Sequence, residues 1–283
     1  MQTISPVDDK RCSTMVAGGY EALVKEVTPA QMLEEFPDLE LLEERPSTGS
    51  TMRTAGSDDT VFTGHDEEQI RLMEEACICV DYNDVPYAAG SKKTLHLMAN
   101  IDKGLLHRAF SVFLFNKDNR LLLQMRAPEK ITFPSQWTNT CCSHPLAIEA
   151  EMGFTLDEGV TGARQAAIRK LEHELGIPAE DVPAQDFHFL TRIHYMAPSS
   201  GSWGEHEIDY IFVIRADPRV EPNPNEVGDW KWVSKEELRY LFADESLTFT
   251  PWFRLICQEY LFKWWDQLDD LPPAETEIHR MFQ

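Results

Sequence analysis

The chain has 283 residues, of which 42% are hydrophobic and 26% are charged, an ordinary balance for a globular protein with room for one large domain or two small ones. Its formal net charge of −22 argues against nucleic acid as a general partner, because phosphate backbones attract basic surfaces. The sequence contains no long apolar run that would predict a membrane span. The six cysteines, in a chain for which no signal peptide is predicted, favour reduced thiols in the cytoplasm.

The charge is unevenly distributed along the chain. Residues 1–75 carry 17 acidic and 6 basic side chains, whereas residues 92–130 carry 8 basic and 3 acidic ones. A basic segment in an acidic chain can concentrate positive potential where an anion binds, but a solvated basic face would have the same composition. Charge alone therefore leaves an anion-binding site as a hypothesis.

Residues 1–64 are expected to form an acidic, mostly disordered extension, because their short polar and glycine-containing runs show only weak periodicity. Within this extension, residues 31–44 favour a transient helix at most. The organised domain is therefore predicted over residues 65–283.

The predicted elements of this domain mix strands and helices without regular alternation. Residues 74–90 predict two strands around a turn, and residues 105–126 predict a hairpin. A loop and a further strand are expected over residues 131–144. A helix is expected over residues 162–177, because apolar side chains recur there at helical spacing up to Gly176.

Downstream of that helix, two alternating strands are predicted over residues 187–195 and 205–214, followed by a short strand. Ser234 with Glu237 three positions later predicts a capped helix, and Thr250 before a proline predicts the start of the last helix. This order of elements favours an α+β fold with α/β/α layers.

Residues 138–145, TNTCCSHP, contain the adjacent cysteines Cys141 and Cys142, followed by His144. A disulfide between neighbouring residues closes a strained ring, so a local bridge is not expected. Three explanations stay open here: buried structural thiols, a metal site, and acid–base chemistry by a thiol. Side chains alternate along a strand, so Cys142 shares a face with His144 while Cys141 points the other way.

The same alternation places Glu205 and Glu207 on one face of a strand, and His96 and His107 lie upstream. Together with His144 they offer three imidazoles and two carboxylates, which suit a divalent transition metal; the carboxylates also suit Mn²⁺ or Mg²⁺. Each of these side chains could equally be a structural residue with satisfied hydrogen bonds, and their spacing forms no motif by itself.

The helix over residues 162–177 resembles the second half of the Nudix box, an Arg-Glu-apolar-any-Glu-Glu-any-Gly-apolar run with a further glutamate upstream. The matching residues are Arg169, Leu171, Glu174, Gly176 and Ile177. Lys170, His173 and Thr161 stand where the pattern has glutamates, so the carboxylate cluster that a Nudix hydrolase needs for Mg²⁺ is largely missing. An ordinary charged amphipathic helix also remains compatible with this segment.

From about Glu67 to Asp266, the chain resembles the type 1 isopentenyl-diphosphate delta-isomerases, a branch of the Nudix superfamily. The resemblance is carried, in matching order, by HLMANIDKGLLHRAFSVFLFN, KITFPSQWTNTCCSHPL, RKLEHELGIP, LTRIHY, WGEHEIDY, TPWF and FKWWD. It implies a Nudix-like fold with a mixed central sheet flanked by helices, and a Nudix core at about residues 104–257. It also implies an enzyme that interconverts isopentenyl diphosphate and dimethylallyl diphosphate through a tertiary carbocation, in isoprenoid and sterol precursor biosynthesis.

The resemblance assigns roles position by position. Cys142 and Glu207 match the family's catalytic cysteine and glutamate, and Tyr195 matches a tyrosine near that glutamate. The implied metal ligands are His96, His107, His144, Glu205 and Glu207. This site would hold Zn²⁺, Mn²⁺ or Mg²⁺, and a second, substrate-linked Mg²⁺ would be held by Glu174 and the substrate diphosphate. The implied substrate contacts are Lys92, Arg126, Lys130, Ser143, Lys170 and Trp252.

These roles agree with the chemistry of double-bond migration. Protonating an unactivated alkene requires an acid on one side and a base on the other, and an indole face stabilises a cation without trapping it. The basic segment would bind the diphosphate, so a small-molecule diphosphate is the expected partner, and both a monomer and a homodimer are compatible with the sequence. The alternatives are a Nudix pyrophosphohydrolase, a catalytically silent Nudix-like binding module, and a zinc-stabilised protein.

Overall fold

The computed structural model describes residues 19–42, 49–52 and 59–282. The strands of these residues are β1 (Glu40–Leu41), β2 (Ala76–Val80), β3 (Pro86–Ser91), β4 (His107–Phe115), β5 (Leu121–Arg126), β6 (Trp137–Thr138), β7 (Cys141–Ser143), β8 (His188–Pro198), β9 (Gly204–Arg215), β10 (Val227–Val233) and β11 (Ile278–Arg280).

The α-helices of the same residues are α1 (Pro29–Glu35), α2 (Glu67–Leu72), α3 (Lys92–His96), α4 (Met98–Ile101), α5 (Leu156–Leu175), α6 (Lys235–Ala243), α7 (Pro251–Ile256) and α8 (Phe262–Trp265). Residues 19–26 are also helical. Short 3₁₀ helices lie at Asp59–Phe62, Ala179–Asp181 and Ala184–Asp186, and a π-helical turn lies at Cys257–Leu261. None of the helices in this part of the chain has the length and apolar character needed to cross a membrane.

The strands form one mixed sheet in the order β1-β3-β2-β4-β9-β8-β11. Off this path, β7 pairs with β4, and β5 pairs with β4, β6 and β10. The β4–β9 and β8–β11 pairs are parallel, and the β4–β7 and β8–β9 pairs are antiparallel. The mixed central sheet expected from the sequence is confirmed.

Two hydrophobic cores cover the two faces of this sheet, and strand β4 contributes to both. Phe110 and Val112 point to the first core, which packs the sheet against α5. Phe113 and Phe115 point to the second core, which packs the sheet against α7 and its neighbours. A strand buried on both faces is expected to be almost continuously apolar, as residues 112–115 of β4 are. The predicted arrangement of a sheet flanked by helices is therefore confirmed.

Helix α5 begins earlier than its apolar spacing predicts. Thr155 caps its start, and its hydroxyl and the Glu158 side chain form a reciprocal capping box. The helix ends where predicted, at Gly176, which adopts a left-handed φ of 62°. A side chain at Gly176 would also collide with the carbonyl oxygen of Glu221, so glycine is required there on two grounds.

Helix α7 starts after Thr250 as predicted, but the hydroxyl of Thr250 does not cap the helix. Thr250 instead pairs with the Thr138 hydroxyl over 2.8 Å, which joins the start of α7 to strand β6. This contact brings the α7 residue Trp252 towards the loops that follow β5 and β6.

Part of the predicted disordered extension is ordered and packed. Within residues 19–42, the side chains of Val24, Met32, Phe36 and Leu39 are buried, and β1 pairs with β3 at the edge of the sheet. The expectation of disorder does not hold for this part, because its spaced apolar side chains cover the edge strands. The other stretches of the predicted extension, residues 1–18, 43–48 and 53–58, lie outside the described residues.

A buried charge network fixes the turn between β2 and β3. Asp84 adopts a left-handed φ of 66° in this turn. Its carboxylate accepts from Arg108 Nε at 2.9 Å and from Arg192 Nη1 at 2.8 Å, and it also accepts from the Tyr210 phenol. One carboxylate therefore joins the turn to strands β4, β8 and β9.

Candidate active site

Five side chains with metal-binding atoms meet at one end of the β4–β9 pair. Their nitrogen and carboxylate oxygen atoms lie within 4.8 Å of one another, and the residues are His96, His107, His144, Glu205 and Glu207. The parallel register makes His107 and Glu207 Cα partners, although they are distant in the sequence. His96 ends α3 and His144 follows β7, so four elements converge on the cluster. The structure thus brings together the five predicted ligands.

Within this ligand cluster, His144 Nε2 and Glu207 Oε1 form a hydrogen bond, but several other ligand atoms have no hydrogen-bond partner in the part of the chain that the structure describes. His96 Nε2 and Glu205 Oε2 lie 2.8 Å apart, yet neither atom has a hydrogen-bond partner among the described residues, and the same holds for both nitrogens of His107. Buried polar atoms normally have partners, so the arrangement fits a cation held between them. Burial lowers the pKa of His107 and of His144, which favours the neutral imidazole that binds metals.

Glu207 directs its two carboxylate oxygens at different partners. Oε1 lies 2.8 Å from His144 Nε2 and 3.4 Å from His107 Nε2, on the side of the ligand cluster. Oε2 accepts a hydrogen bond of 2.5 Å from the phenol of Tyr195. Burial opposes ionisation of this carboxyl, but the neighbouring His107 and the Tyr195 phenol hold the pKa of Glu207 below its usual value. One oxygen is therefore free of the cluster.

The adjacent cysteines face opposite sides of the sheet, as their alternation predicts. Cys141 packs in the first core, with its thiol 3.6 Å from Glu174 Oε2. Cys142 is half-buried, packs against the second core, and lines a cleft together with Glu207. Burial, reinforced by the charges of Asp209 and Glu207, raises the pKa of the Cys142 thiol. Of the two thiols, Cys142 is the one that faces the cleft.

The cleft in front of these side chains gathers most of the predicted site. Its lining residues are Lys92, Arg126, Lys130, Thr132, Cys142, Ser143, His144, Glu174, Glu205, Glu207 and Trp252. Thr132 is the one member of this lining that the sequence did not predict. The remaining predicted residues, His96, His107, Tyr195 and Lys170, stand behind the lining.

The predicted diphosphate-binding cations are held by acceptors of the protein itself. Lys130 donates to Glu226 over 2.7 Å, and Arg126 donates to the carbonyl oxygen of Thr132 over 2.9 Å. Burial lowers the pKa of Lys130 to about 8, although the charge of Glu226 acts in the opposite direction. Positive charge is thus kept at the cleft, where an anion could compete with these acceptors.

Two predicted contacts differ in how they reach the cleft. Lys170 forms an ion pair with Glu174 on α5, with Nζ 3.4 Å from Oε1, and only Glu174 lines the cleft. Lys170 itself stands behind the lining, so its contact with the substrate stays a prediction. Trp252 does line the cleft, and its orientation is fixed because the indole Nε1 donates to Asn139 Oδ1 at 3.1 Å.

Besides Thr132, the sequence analysis missed three polar residues of the site: Ser111, Asp209 and Glu226. Asp209 occupies the next same-face position of β9 after the two glutamates, so the alternation that singled them out could have found it. Ser111 required knowledge of strand pairing, because it lies opposite Cys142 across β4 and β7. The position of Glu226, in the loop before β10, follows no sequence pattern.

Comparison with known proteins agrees with this fold. A family model of the NUDIX domain matches residues 105–253. The isopentenyl-diphosphate delta-isomerase of Candida albicans is 53% identical over 279 residues, which cover 93% of this chain and 98% of that protein. The isomerase of Schizosaccharomyces pombe is 60% identical over 217 residues, covering 76% of this chain and 95% of that protein. The isomerase of Dictyostelium discoideum is 51% identical over 241 residues, covering 81% and 100%, respectively.

Proposed function

Because this chain belongs to the isopentenyl-diphosphate delta-isomerase family, a branch of the Nudix superfamily, we propose that Cys142 and Glu207 move the double bond of its substrate. The enzyme is an isomerase that interconverts isopentenyl diphosphate and dimethylallyl diphosphate. The observation that carries the residue assignment is the shared cleft, in which the Cys142 sulfur and a Glu207 oxygen lie within 4.8 Å of each other.

The reaction needs one proton donor and one proton acceptor, which act at the two carbons on either side of the central, tertiary carbon. The form of the enzyme that reacts in the forward direction carries a proton on Glu207 and a thiolate at Cys142, whereas the pKa shifts of the two groups favour the opposite distribution at rest. Glu207 gives its proton to the terminal alkene carbon; the π electrons form the new C–H bond, and a tertiary carbocation remains. Cys142, as the thiolate, then removes a proton from the adjacent CH₂ group, and the released C–H electron pair becomes the new double bond. In the reverse direction the two residues exchange roles.

The walls of the cleft support this assignment. The buried indole of Trp252 offers a π face, which stabilises a positive charge without supplying a nucleophile that would trap it. Lys92, Arg126 and Lys130 line the same cleft and form its basic wall, which suits a diphosphate. A diphosphate ester with a short branched hydrocarbon chain matches a cleft that combines this basic wall with an aromatic face.

The ligand cluster is proposed to hold Zn²⁺, Mn²⁺ or Mg²⁺, and its unpartnered buried donor atoms support this. When bound, such a cation would compensate the two buried glutamate charges, which are otherwise costly in a low-dielectric interior. A Mg²⁺ ion that accompanies the substrate diphosphate would be held by Glu174, which lines the same cleft. Metal analysis of freshly isolated protein identifies the ion.

A hydrolytic Nudix reaction is disfavoured by helix α5. Lys170, His173 and Thr161 replace glutamates that would hold Mg²⁺ at a pyrophosphate. Incubating the protein with isopentenyl diphosphate and Mg²⁺ tests the proposal: the allylic isomer should form without release of phosphate. Released phosphate would instead identify a hydrolase, and an unchanged substrate with folded, metal-loaded protein would identify a binding module.

We also propose a cytoplasmic location and a contribution to isoprenoid and sterol precursor biosynthesis. The cysteines of the described residues, Cys77, Cys79, Cys141, Cys142 and Cys257, are all free, as a reducing compartment allows. Cell fractionation followed by the isomerase assay checks the location, and activity confined to an organelle fraction would contradict it.

A further inference from the structure

Two polar side chains lie directly behind the thiol of Cys142, and neither touches the substrate-facing walls of the cleft. Ser111 is the Cα partner of Cys142 across the antiparallel β4–β7 pair, so the two side chains project from the same face. On its other side, the Ser111 hydroxyl donates to Asp209 Oδ2 over 2.8 Å. Ser111 and Asp209 are both fully buried. The three residues therefore form one cluster, in which the Cys142 sulfur and an Asp209 carboxylate oxygen lie within 4.8 Å of each other.

The direction of the Ser111 hydrogen bond determines what Ser111 can offer the thiol. A hydroxyl has one proton and two lone pairs, so a serine that donates to Asp209 keeps its lone pairs for a second partner. The residue opposite those lone pairs is Cys142, whose S–H group can donate to them. The thiol thus has a polar partner inside the sheet.

A fixed partner is significant because the surroundings of Cys142 are otherwise apolar on one side. Cys142 packs against the second core, and a free thiol behaves largely as a small hydrophobic group. Its χ1 angle has three staggered states, which direct the sulfur to different places. A sulfur that turned towards the second core would be removed from the carbons it must reach.

Asp209 is not explained by the stability of the fold. Its Oδ1 atom is buried without a hydrogen-bond partner among the described residues. A buried carboxyl with one unsatisfied oxygen is destabilising, and an apolar side chain would be the more stable choice at such a position. The contact that Asp209 does make is the one with Ser111.

We propose that Asp209 and Ser111 are positioning residues, in which Asp209 fixes the hydroxyl of Ser111 and Ser111 holds the sulfur of Cys142 towards the substrate. The proposal rests on the proposed function, because it assumes that Cys142 is the reacting thiol. In this arrangement Asp209 acts as a hydrogen-bond acceptor, and no charge or proton exchange is required of it.

Four variants test this arrangement: Ser111→Ala, Asp209→Ala, Asp209→Asn and the Ser111→Ala/Asp209→Ala double variant. Misplacing a reacting group lowers turnover strongly, so kcat should fall about 10-fold to 100-fold in both alanine variants, while KM stays within about 2-fold because the basic wall is intact. Asp209→Asn should recover most of the loss, since its amide oxygen can still accept from Ser111. The double variant should be no slower than either single one, because the residues act through one contact.

Three results would overturn the proposal. An Asp209→Asn enzyme as slow as Asp209→Ala would show that the carboxyl itself, rather than an acceptor, is needed. Losses that multiply in the double variant would show that the two residues act separately, and a rise in KM without a fall in kcat would place them in substrate binding. If Asp209→Ala fails to fold, Asp209→Asn and Ser111→Ala still test the proposal. The proposal then requires that Asp209→Asn is fast and that Ser111→Ala is slow.

Melting temperature and bound metal, measured on every variant, separate positioning from general damage to the fold. Cys142→Ala, measured in parallel, separates this inference from the proposed function. If Cys142→Ala remains active, the thiol has no catalytic role and the proposed function fails. If Cys142→Ala is inactive while Ser111→Ala turns over normally, only the positioning of the thiol by Ser111 is wrong.

Discussion

Tyr195 donates its phenolic proton to Glu207 over 2.5 Å, and the two residues are Cα partners across the antiparallel β8–β9 pair. The bond occupies Oε2, whereas Oε1 faces His144 at 2.8 Å. Burial and the adjacent charge of Glu207 raise the pKa of Tyr195, so the phenol keeps the proton that it donates. A carboxyl held in this way can bind a metal through one oxygen and exchange a proton through the other.

Because the two carboxylate oxygens of Glu207 have different partners, mutation can separate its role as a metal ligand from its role in proton transfer. Glu207→Gln keeps an oxygen for the metal but cannot act as an acid or a base, so turnover should fall by about 10³-fold or more while bound metal is partly retained. His96→Ala removes a ligand, so metal and turnover should fall together and excess metal should restore part of both. Metal content, melting temperature and isomerase rate are measured on both variants. Substantial turnover by metal-loaded Glu207→Gln would remove Glu207 from proton transfer.

The two adjacent cysteines should respond differently to the same substitution. Cys142→Ala should lower turnover by about 10³-fold or more, because the proton acceptor of the cleft is lost. Cys141→Ala should cost about 1 kcal/mol of stability, as one small group is removed from the first core, and should leave turnover nearly intact. Steady-state kinetics and urea unfolding of both variants check this. A reversed pattern would mean that the roles of the two faces are exchanged.

The pKa of Lys130 predicts a pH dependence of substrate capture. Burial places this pKa at about 8, so the ammonium is present below pH 8 and is lost as the pH rises through that value. The kcat/KM for isopentenyl diphosphate should then fall about 10-fold or more above this pH, because one charge-assisted hydrogen bond to the diphosphate is lost. Lys130→Arg is the matched control, because arginine stays protonated and should flatten this limb of the profile. An unchanged limb in Lys130→Arg would show that another group titrates there.

The Asp84 network predicts a loss of stability that is separate from catalysis. Asp84→Asn keeps the side-chain shape but leaves the buried Arg108 and Arg192 without a counter-charge, which should cost about 3–5 kcal/mol. Asparagine tolerates the left-handed backbone of this turn, so strain does not add to the effect. Urea unfolding measures the loss, while the rate per folded molecule should remain normal.

The control for Asp84→Asn is Asp217→Asn, which breaks the exposed ion pair with Lys117. Exposed pairs contribute little in water, so its unfolding curve should overlay that of the unmodified protein. Equal effects of the two substitutions would show that the buried network stabilises the fold no more than a surface pair does.

Local chemistry made part of this protein predictable from its sequence. The alternation of side chains along a strand assigned Cys141 and Cys142 to opposite faces, and the structure places them in opposite cores. Gly176 was recognised as the end of a helix because few other residues adopt its left-handed conformation. The roles of the cleft residues came from family resemblance, since dispersed histidines and glutamates have no spacing that identifies a site.

The sequence by itself therefore determined β2 to β5, β8 to β10 and α5 to α7, and it determined which side chains share a face, because these properties follow from the period of the backbone. Only the tertiary structure decided that β4 lies parallel to β9, which aligns His107 with Glu207, and that Ser111 stands behind Cys142. Which strands pair depends on how both hydrophobic cores pack against the sheet when the strands are distant in the chain. A short stretch of sequence does not predict that packing. For the same reason, the ordering of residues 19–42 against the sheet edge became visible only in the fold.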